Sequence, residues 1–298
     1  MLTVFGSVAL DTTRTPFKTE TNILGGAATF ASLCSSFFTP TSTIAVVGSD
    51  FPNQYRKILN SRVDTRGIVT KNEGKTFHFD SSFDYDFHHR TSIKTELNVI
   101  KDFKPVVPEA YVSSDYIYLG NNDPSQNIAI LQYFTNPKFI VCDTIEYWIV
   151  NKRKDVIEMI SKVNGVVIND EEARILCRTA NLIKCAKIIL SWGPGLVVIK
   201  KGEHGSLLVL DNIIFPASAF PIEEMVDPTG AGDSFAGAFM GYLSYKKDLT
   251  IERLKEAVIY GNVLGAYAIE DFGVNKLLEI TKVDIDYRYE MFRRITQF

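Results

Sequence analysis

The chain has 298 residues, 46% of them hydrophobic, and a formal charge of −3 from 32 basic and 35 acidic side chains. That apolar content can fill a sizeable core and excludes extended disorder, and the near-balance of charge excludes a net positive field that would grip nucleic acid or an acidic membrane. No apolar run approaches the ~18 residues that span a bilayer, and the start MLTVFGSVALD lacks the basic flank and long apolar stretch of a signal peptide, so a cytoplasmic address is expected.

At ~150 residues per domain the length fits two domains or one large α/β unit. An apolar run at residues 2–8, just before Asp11, reads as the first strand, and a polar stretch at 12–22 separates it from helical spacing at 27–37. A strand at 43–47 and a helix at 52–59 follow. Between Phe77 and Phe87 the odd positions except Ser81 are aromatic (Phe77, Phe79, Phe83, Tyr85, Phe87), while His78, Asp80, Ser82, Asp84 and Asp86 alternate with them, which is the period of a strand. Apolar strand-like runs at 116–119, 139–142, 166–168 and 197–199 then alternate with helical stretches at 125–134, 152–162, 171–177 and 182–190. The tail past Gly230 is mostly helical, at 233–245, 251–269 and 285–295. Short apolar runs between helices are the mark of buried parallel strands, so a doubly wound, mostly parallel α/β sheet is expected. The aromatic stretch, with residues from 12–22, predicts a small separate β lid; an antiparallel edge extension of the main sheet is the alternative.

Cys34, Cys142, Cys177 and Cys185 form no CxxC pair and sit among apolar neighbours, as thiols packed in a core do. The four histidines form no HExxH helix, and the adjacent His88 and His89 would point different ways in any regular element. A metal held by cysteine or histidine is therefore not expected.

The sharpest segment is Met225-Val-Asp-Pro-Thr-Gly-Ala-Gly-Asp-Ser-Phe-Ala-Gly-Ala-Phe239. A glycine-rich turn entering a helix exposes unpaired N–H groups beside the positive end of the helix dipole, a ready site for phosphate or a developing anion. Asp233 at such a site makes sense as the acceptor of a proton from an incoming hydroxyl, with the amides of Gly230, Ala231 and Gly232 holding the phosphoryl group. The alternative is that Asp227 or Asp233 only caps the helix. Neither GxxxxGK[ST] nor a GxGxxG after the first strand is present.

Asp-Pro-Thr-Gly-Ala-Gly-Asp at 227–233 resembles the C-terminal signature of the ribokinase-like PfkB family of carbohydrate and nucleoside kinases. Gly25-Gly26 resembles the N-terminal signature, with Asp11 after the first strand, Asn169-Asp170-Glu171-Glu172 in the place of NxxE, and Lys201-Gly202-Glu203-His204-Gly205 in the place of the strand-end glycine motif. The resemblance implies one ribokinase-like domain over 1–298, with a discontinuous β lid from about 12–24 and 70–100. It implies ATP as donor with Mg²⁺, Asp233 as base, the amides of 230–232 as anion hole, and Asp11 with Gly25 and Gly26 binding the acceptor.

Asn169 and Glu172 are implied to organise Mg²⁺ and phosphates, Glu172 through water, a role compatible with a helix N-cap and capping box. Lys200, Gly202 and Asn262 are implied to lie along the nucleotide; Lys200 and Lys201 replace the Thr and small apolar residue of many members, and serve either the phosphates or a solvated strand end. Thr29 replaces a frequent asparagine that contacts substrate. A monovalent cation near Asp227, found in some relatives, has no readable signature here.

The function implied is transfer of the γ-phosphoryl group of ATP to a primary hydroxyl of a sugar. A nucleoside kinase of the same fold is the alternative, and a non-catalytic sugar- or nucleotide-binding regulator is the alternative of a different class. The aromatic face at 77–87 is too apolar for open water, so it is expected either to pack on acceptor and main domain or, the favoured arrangement, to meet the same face of a second subunit in a homodimer.

Overall fold

A computed structural model describes residues 1–87 and 90–297. The apolar run at 2–8 divides: β1 (Leu2–Phe5) enters a large sheet, and β2 (Ala9–Arg14) leaves it for a small one, where it is joined by β3 (Thr19–Gly25). Next come α1 (Ala27–Ser36), β4 (Thr41–Val47), α2 (Asn53–Arg62) and β5 (Asp64–Thr70). The chain then returns to the small sheet for β6 (His78–Phe83) and β7 (Arg90–Glu96). From there the large sheet grows through β8 (Tyr116–Leu119), α3 (Pro124–Leu131), β9 (Phe139–Cys142), α4 (Glu146–Asn151), α5 (Arg153–Ile160), β10 (Gly165–Asn169), α6 (Asp170–Cys177), α7 (Leu182–Leu190) and β11 (Leu196–Lys200). A hairpin of β12 (Ser206–Leu210) and β13 (Ile213–Ala217) precedes α8 (Ala231–Lys246), α9 (Ile251–Ala268), α10 (Asn275–Glu279) and α11 (Lys282–Ile295).

The large sheet has the order β13-β12-β11-β10-β9-β8-β1-β4-β5, parallel except for the antiparallel pairs β11–β12 and β12–β13. Its strands are continuously apolar because both faces are covered. Val4, Val141, Val167 and Val198 pack into a core with α1, α8 and α9, whereas their neighbours Phe5, Cys142, Ile168 and Ile199 pack on the opposite side with α3, α5, α6 and α7. Chain direction across the sheet reverses at β1, which pairs with both β4 and β8. In open α/β sheets the crevice past the carboxyl ends of strands at such a switch point is where ligands bind.

The small sheet has the order β3-β2-β6-β7; β2 and β6 are parallel and the outer pairs antiparallel. It is a separate sheet and not an edge extension of the large one. The predicted strand over 77–87 is shorter, because the chain turns at Asp84–Phe87 and Phe87 takes a positive φ of 57°. The five aromatics accordingly do not form one open face. Phe83 is buried and Tyr85 is 77% exposed, its ring tilted against that of the exposed Phe17. Strands β5, β7, β12 and β13 and helices α4 and α10 were not anticipated; β5 and β7 are polar edge strands with no apolar run to announce them. Cys34, Cys142 and Cys185 are buried free thiols and Cys177 is half-buried. His88 and His89 lie outside the described residues. No helix is long and apolar enough to cross a membrane among the described residues.

Candidate active site

The carboxyl ends of β9, β10 and β11 and the start of α8 bring four charged side chains together. Asp143 follows β9 directly and is buried; its Oδ2 accepts a hydrogen bond from Lys200 Nζ at 2.9 Å, and its Oδ1 accepts one from the Thr144 amide at 2.7 Å. Lys200 ends β11. Its ammonium also stands against the glycine turn, where a Cβ on Gly232 would fall 2.7 Å from Nζ. Burial by itself disfavours the lysine's charge, but Asp143, Glu172 and Asp233 outweigh it and hold the pKa above the usual lysine value. The alternative of a solvated strand end is not met for Lys200, whose side chain is 15% exposed.

Asn169 ends β10 and caps α6: its side chain accepts from the Glu172 amide at 2.7 Å, while Glu172 Oε2 accepts from the Asn169 amide at 3.0 Å. This is a complete capping box. Glu172 is buried, and burial, reinforced by Asp143, raises its pKa against the pull of Lys200.

At the start of α8, Gly230 adopts φ 80° and is the N-cap residue, and no side chain caps the helix. Asp233 thus sits in the first turn without capping it. Asp227 is the buried structural acid of the loop, with Oδ1 accepting from the Thr229 amide at 2.9 Å and Oδ2 from the Gly273 amide at 3.3 Å. The Asp233 pKa is raised to about 7, first by burial and then by Asp143, with Lys200 and Arg90 pulling it down.

The fourth wall comes from the small sheet. Asp11 lies on β2 and is 4% exposed, and its Oδ1 has no hydrogen-bond partner among the described residues. Gly25 on β3 pairs with Ala9, two residues before Asp11, and a Cβ there would stand 2.0 Å from Asp11 Oδ2, so only glycine admits that carboxylate. The next residue, Gly26, opens α1, whose first amides are taken by Ser7: Oγ accepts from Ala27 and the carbonyl from Ala28. Burial raises the Asp11 pKa to about 8, with Asp227 and Asp233 adding to it while the amides of Phe79 and Gly26 oppose. A buried carboxylate oxygen without a partner costs free energy, and its ordinary resolution is a hydrogen-bond donor on a ligand. Thr29 is buried as well, with no partner for its Oγ1 among the described residues.

Two expected residues stand apart from this cluster. Gly202, at φ 54°, begins the turn after β11 and faces open space. Asn262 on α9 is committed to tying down the hairpin, with Nδ2 donating to the Ser218 carbonyl at 2.9 Å and Oδ1 bonded to the Ser206 hydroxyl at 3.3 Å. One residue of the cluster was missed. Asp143 had a signal, since it directly follows an apolar run just as Asn169 and Lys200 do, and parallel strands bring such positions to one edge.

Over residues 3–281 the chain matches the model of the pfkB family of carbohydrate kinases, and it belongs to that family. It is therefore a phosphotransferase acting on a hydroxyl group, with a ribokinase-like fold. It is 30% identical over 274 residues to the cytidine kinase of Thermococcus kodakarensis, an overlap of 86% of this chain and 95% of that protein. It is 27% identical to the nucleoside kinase of Methanothermobacter thermautotrophicus, over 88% of this chain and 83% of the other. Among solved structures, the Methanocaldococcus jannaschii nucleoside kinase of the ribokinase family superposes with a TM-score of 0.78 at 17% identity, covering 97% of this chain and 98% of that one.

Proposed function

We propose that the protein transfers the γ-phosphoryl group of ATP to the primary hydroxyl of a nucleoside. The observation that carries the kinase reading is the unpartnered Asp11 Oδ1, buried beside a helix start that no side chain caps and that bears Asp233 in its first turn. A carboxylate with a free acceptor oxygen suits a sugar diol, and an uncapped helix start suits a phosphoryl group in flight. The nucleoside is favoured over the simple sugar by two relatives that each align with most of this chain, a cytidine kinase and a nucleoside kinase. A sugar acceptor is the second reading, which the family's carbohydrate kinases support.

In this reading Asp11, Gly25 and Gly26 hold the ribose, and Asp233 accepts the proton of the attacking hydroxyl. The amides of Gly230, Ala231 and Gly232 hold the transferring group, and Lys200 stabilises its charge. Gly202 and Asn262 line the nucleotide side, and the small sheet acts as lid of one catalytic unit. No group of three or more potential ligands is arranged for a metal among the described residues, and Glu172 already spends Oε2 on an amide. Glu172 and Asn169, with Asp143, thus fit a Mg²⁺ held through water and phosphate oxygens, which when bound would neutralise charge on the phosphates. Asp227 spends both oxygens on amides, and the proposal assigns it no monovalent cation. The lid's outer edge and the exposed Phe17 and Tyr85 are proposed to meet a second copy of the chain.

Turnover of ATP with cytidine, other nucleosides, ribose and fructose tests the reading. Cytidine or another nucleoside is expected to give the highest kcat/KM. Preference for a free sugar would replace the nucleoside with the second reading, and turnover with none would end both.

A further inference from the structure

Strand β6 carries another buried polar atom that the fold leaves unsatisfied. Ser81 is 1% exposed, and its hydroxyl has no hydrogen-bond partner among the described residues. Strand register shows which way that hydroxyl faces. Ser81 pairs in parallel with Thr13 on β2, so the two side chains share one face of the small sheet, and Asp11, two residues before Thr13, shares it as well. The register shift between Asp11 and Thr13 places its extra residue on β3, so β2 keeps its alternation. Thr13 is fully buried, and its hydroxyl stands 3.4 Å from that of Thr229, the residue before Gly230. This face of the small sheet therefore looks onto the glycine turn. The opposite face is committed elsewhere, with Asp80 accepting two hydrogen bonds from the Arg14 guanidinium. Alternation along β6 sets Phe79 and the buried Phe83 on either side of Ser81, on the inward face.

We propose that Ser81 is a specificity-determining residue, whose hydroxyl bonds to the polar edge of a nucleoside base while Asp11 holds the ribose. The inference rests on the nucleoside reading above and names the residue that reads the base. A hydroxyl offers one donor and two acceptor sites, and burying it with none of them used costs free energy that a ligand's polar group recovers. Its place between two aromatic side chains suits a flat ring, which packs on apolar rings through its faces and bonds to polar groups through its edge. Distance separates the base from the sugar. Asp11 and Ser81 lie diagonally across adjacent strands, about 7–8 Å apart by the geometry of a sheet. An acceptor that gives its diol to Asp11 needs a further group to reach Ser81. A nucleoside carries such a group in its base, and a bare pentose carries none.

Steady-state kinetics of the full chain with ribose and with cytidine, or whichever nucleoside turns over faster, test the assignment in Ser81→Ala and Ser81→Cys, beside melting without ligand. Ser81→Ala is expected to lower kcat/KM for the nucleoside ~5–20-fold, chiefly through KM, with the ATP KM and the kcat/KM for ribose within about twofold. Ser81→Cys puts a weak hydrogen-bonding group of similar size in the same place and should lose nearly as much. Ser81→Ala should melt no lower than wild type, because the fold gives the hydroxyl no bond to lose. A nucleoside kcat/KM within about twofold of wild type in Ser81→Ala, an equal loss for ribose, or a melting temperature lower by more than about 4 °C would overturn the proposal. If Ser81→Ala fails to fold, a folded Ser81→Cys decides: a loss confined to the nucleoside supports the proposal, and wild-type kinetics overturn it. A wild type active on ribose and on no nucleoside would overturn it and leave a sugar kinase standing, and one active on neither would end the kinase reading as well. An active nucleoside kinase indifferent to Ser81 would end this inference alone.

Discussion

Strands β1, β4, β8 and β9 of the large sheet are buried at every residue, whereas β7 of the small sheet is exposed at six of its seven. Between these extremes lies β2, buried along most of its length where it crosses from one sheet to the other. The gradient matches the chemistry each region carries. Asp143, Asn169 and Lys200 stand at the ends of covered strands, and Glu172 and Asp233 in the first turns of packed helices, so the proposed phosphoryl side is held by packed elements. Asp11 stands at the root of the small sheet, on a strand buried along most of its length, so the proposed acceptor side is completed by a sheet whose outer strand is open to solvent.

If the large sheet supplies the chemistry, the largest single effect should come from its base. Asp233→Asn is expected to lower kcat by ~10²–10⁴ with nucleotide and acceptor affinity retained, as rapid kinetics and calorimetry would show. Turnover near that of the wild type would move the base elsewhere. Because the Asp233 pKa lies at about 7, the rate should climb as pH rises through that value and then level off. Stability should run the opposite way. Asp233 and Asp11 bind protons more tightly folded than unfolded, so the unliganded protein loses stability as pH rises from about 4 to about 8. Asp233→Asn, freed from that charge, should melt ~2–4 °C above wild type at pH 8 and no higher at pH 4.

Asp11 tests the hinge between the regions. Asp11→Ala should raise the acceptor KM by ~10–100-fold while leaving ATP affinity within about twofold, because the lost hydrogen bonds belong to acceptor hydroxyls. An equal loss for ATP would place Asp11 in general folding instead. A smaller, rigid-side effect is expected of Glu172→Gln: the Mg²⁺ concentration for half-maximal rate should rise ~3–10-fold with the acceptor KM unchanged. Activity that survives EDTA would remove both the metal and this role.

How much was legible follows the same gradient. The covered strands announce themselves as unbroken apolar runs, and the turn at 227–233 announces a glycine-rich helix start, because these features are local. Asp143 was legible in principle from its place after a strand. The small sheet was harder: its strands are polar, β2 and β3 shift register between Asp11 and Thr13, and β6 and β7 shift between Asp80 and Ser81. A period-two pattern assumes a regular ladder, and these irregularities together with the turn at Asp84–Phe87 dispersed the five aromatics.

The weakest expected effect concerns the small sheet's outer surface. Phe79 and Phe83 are unsuitable probes, since Phe83 is buried and Phe79 adjoins Asp11, so a charge at either would disturb the fold or the site. Phe17 and Tyr85 are 69% and 77% exposed, with ring centres 5.6 Å apart, and Ile93 on β7 is 53% exposed. Neighbouring exposed rings beside an open strand edge are the kind of surface that a second copy covers with little cost to the fold. Phe17→Asp with Tyr85→Asp should therefore convert a micromolar dimer to monomer in sedimentation, while kcat at saturating acceptor falls less than about threefold, because both rings lie on the exposed surface of the small sheet. A monomeric wild type would end the pairing, a double variant that stays dimeric would place the interface elsewhere, and a large loss of kcat would show that the partner holds the small sheet closed.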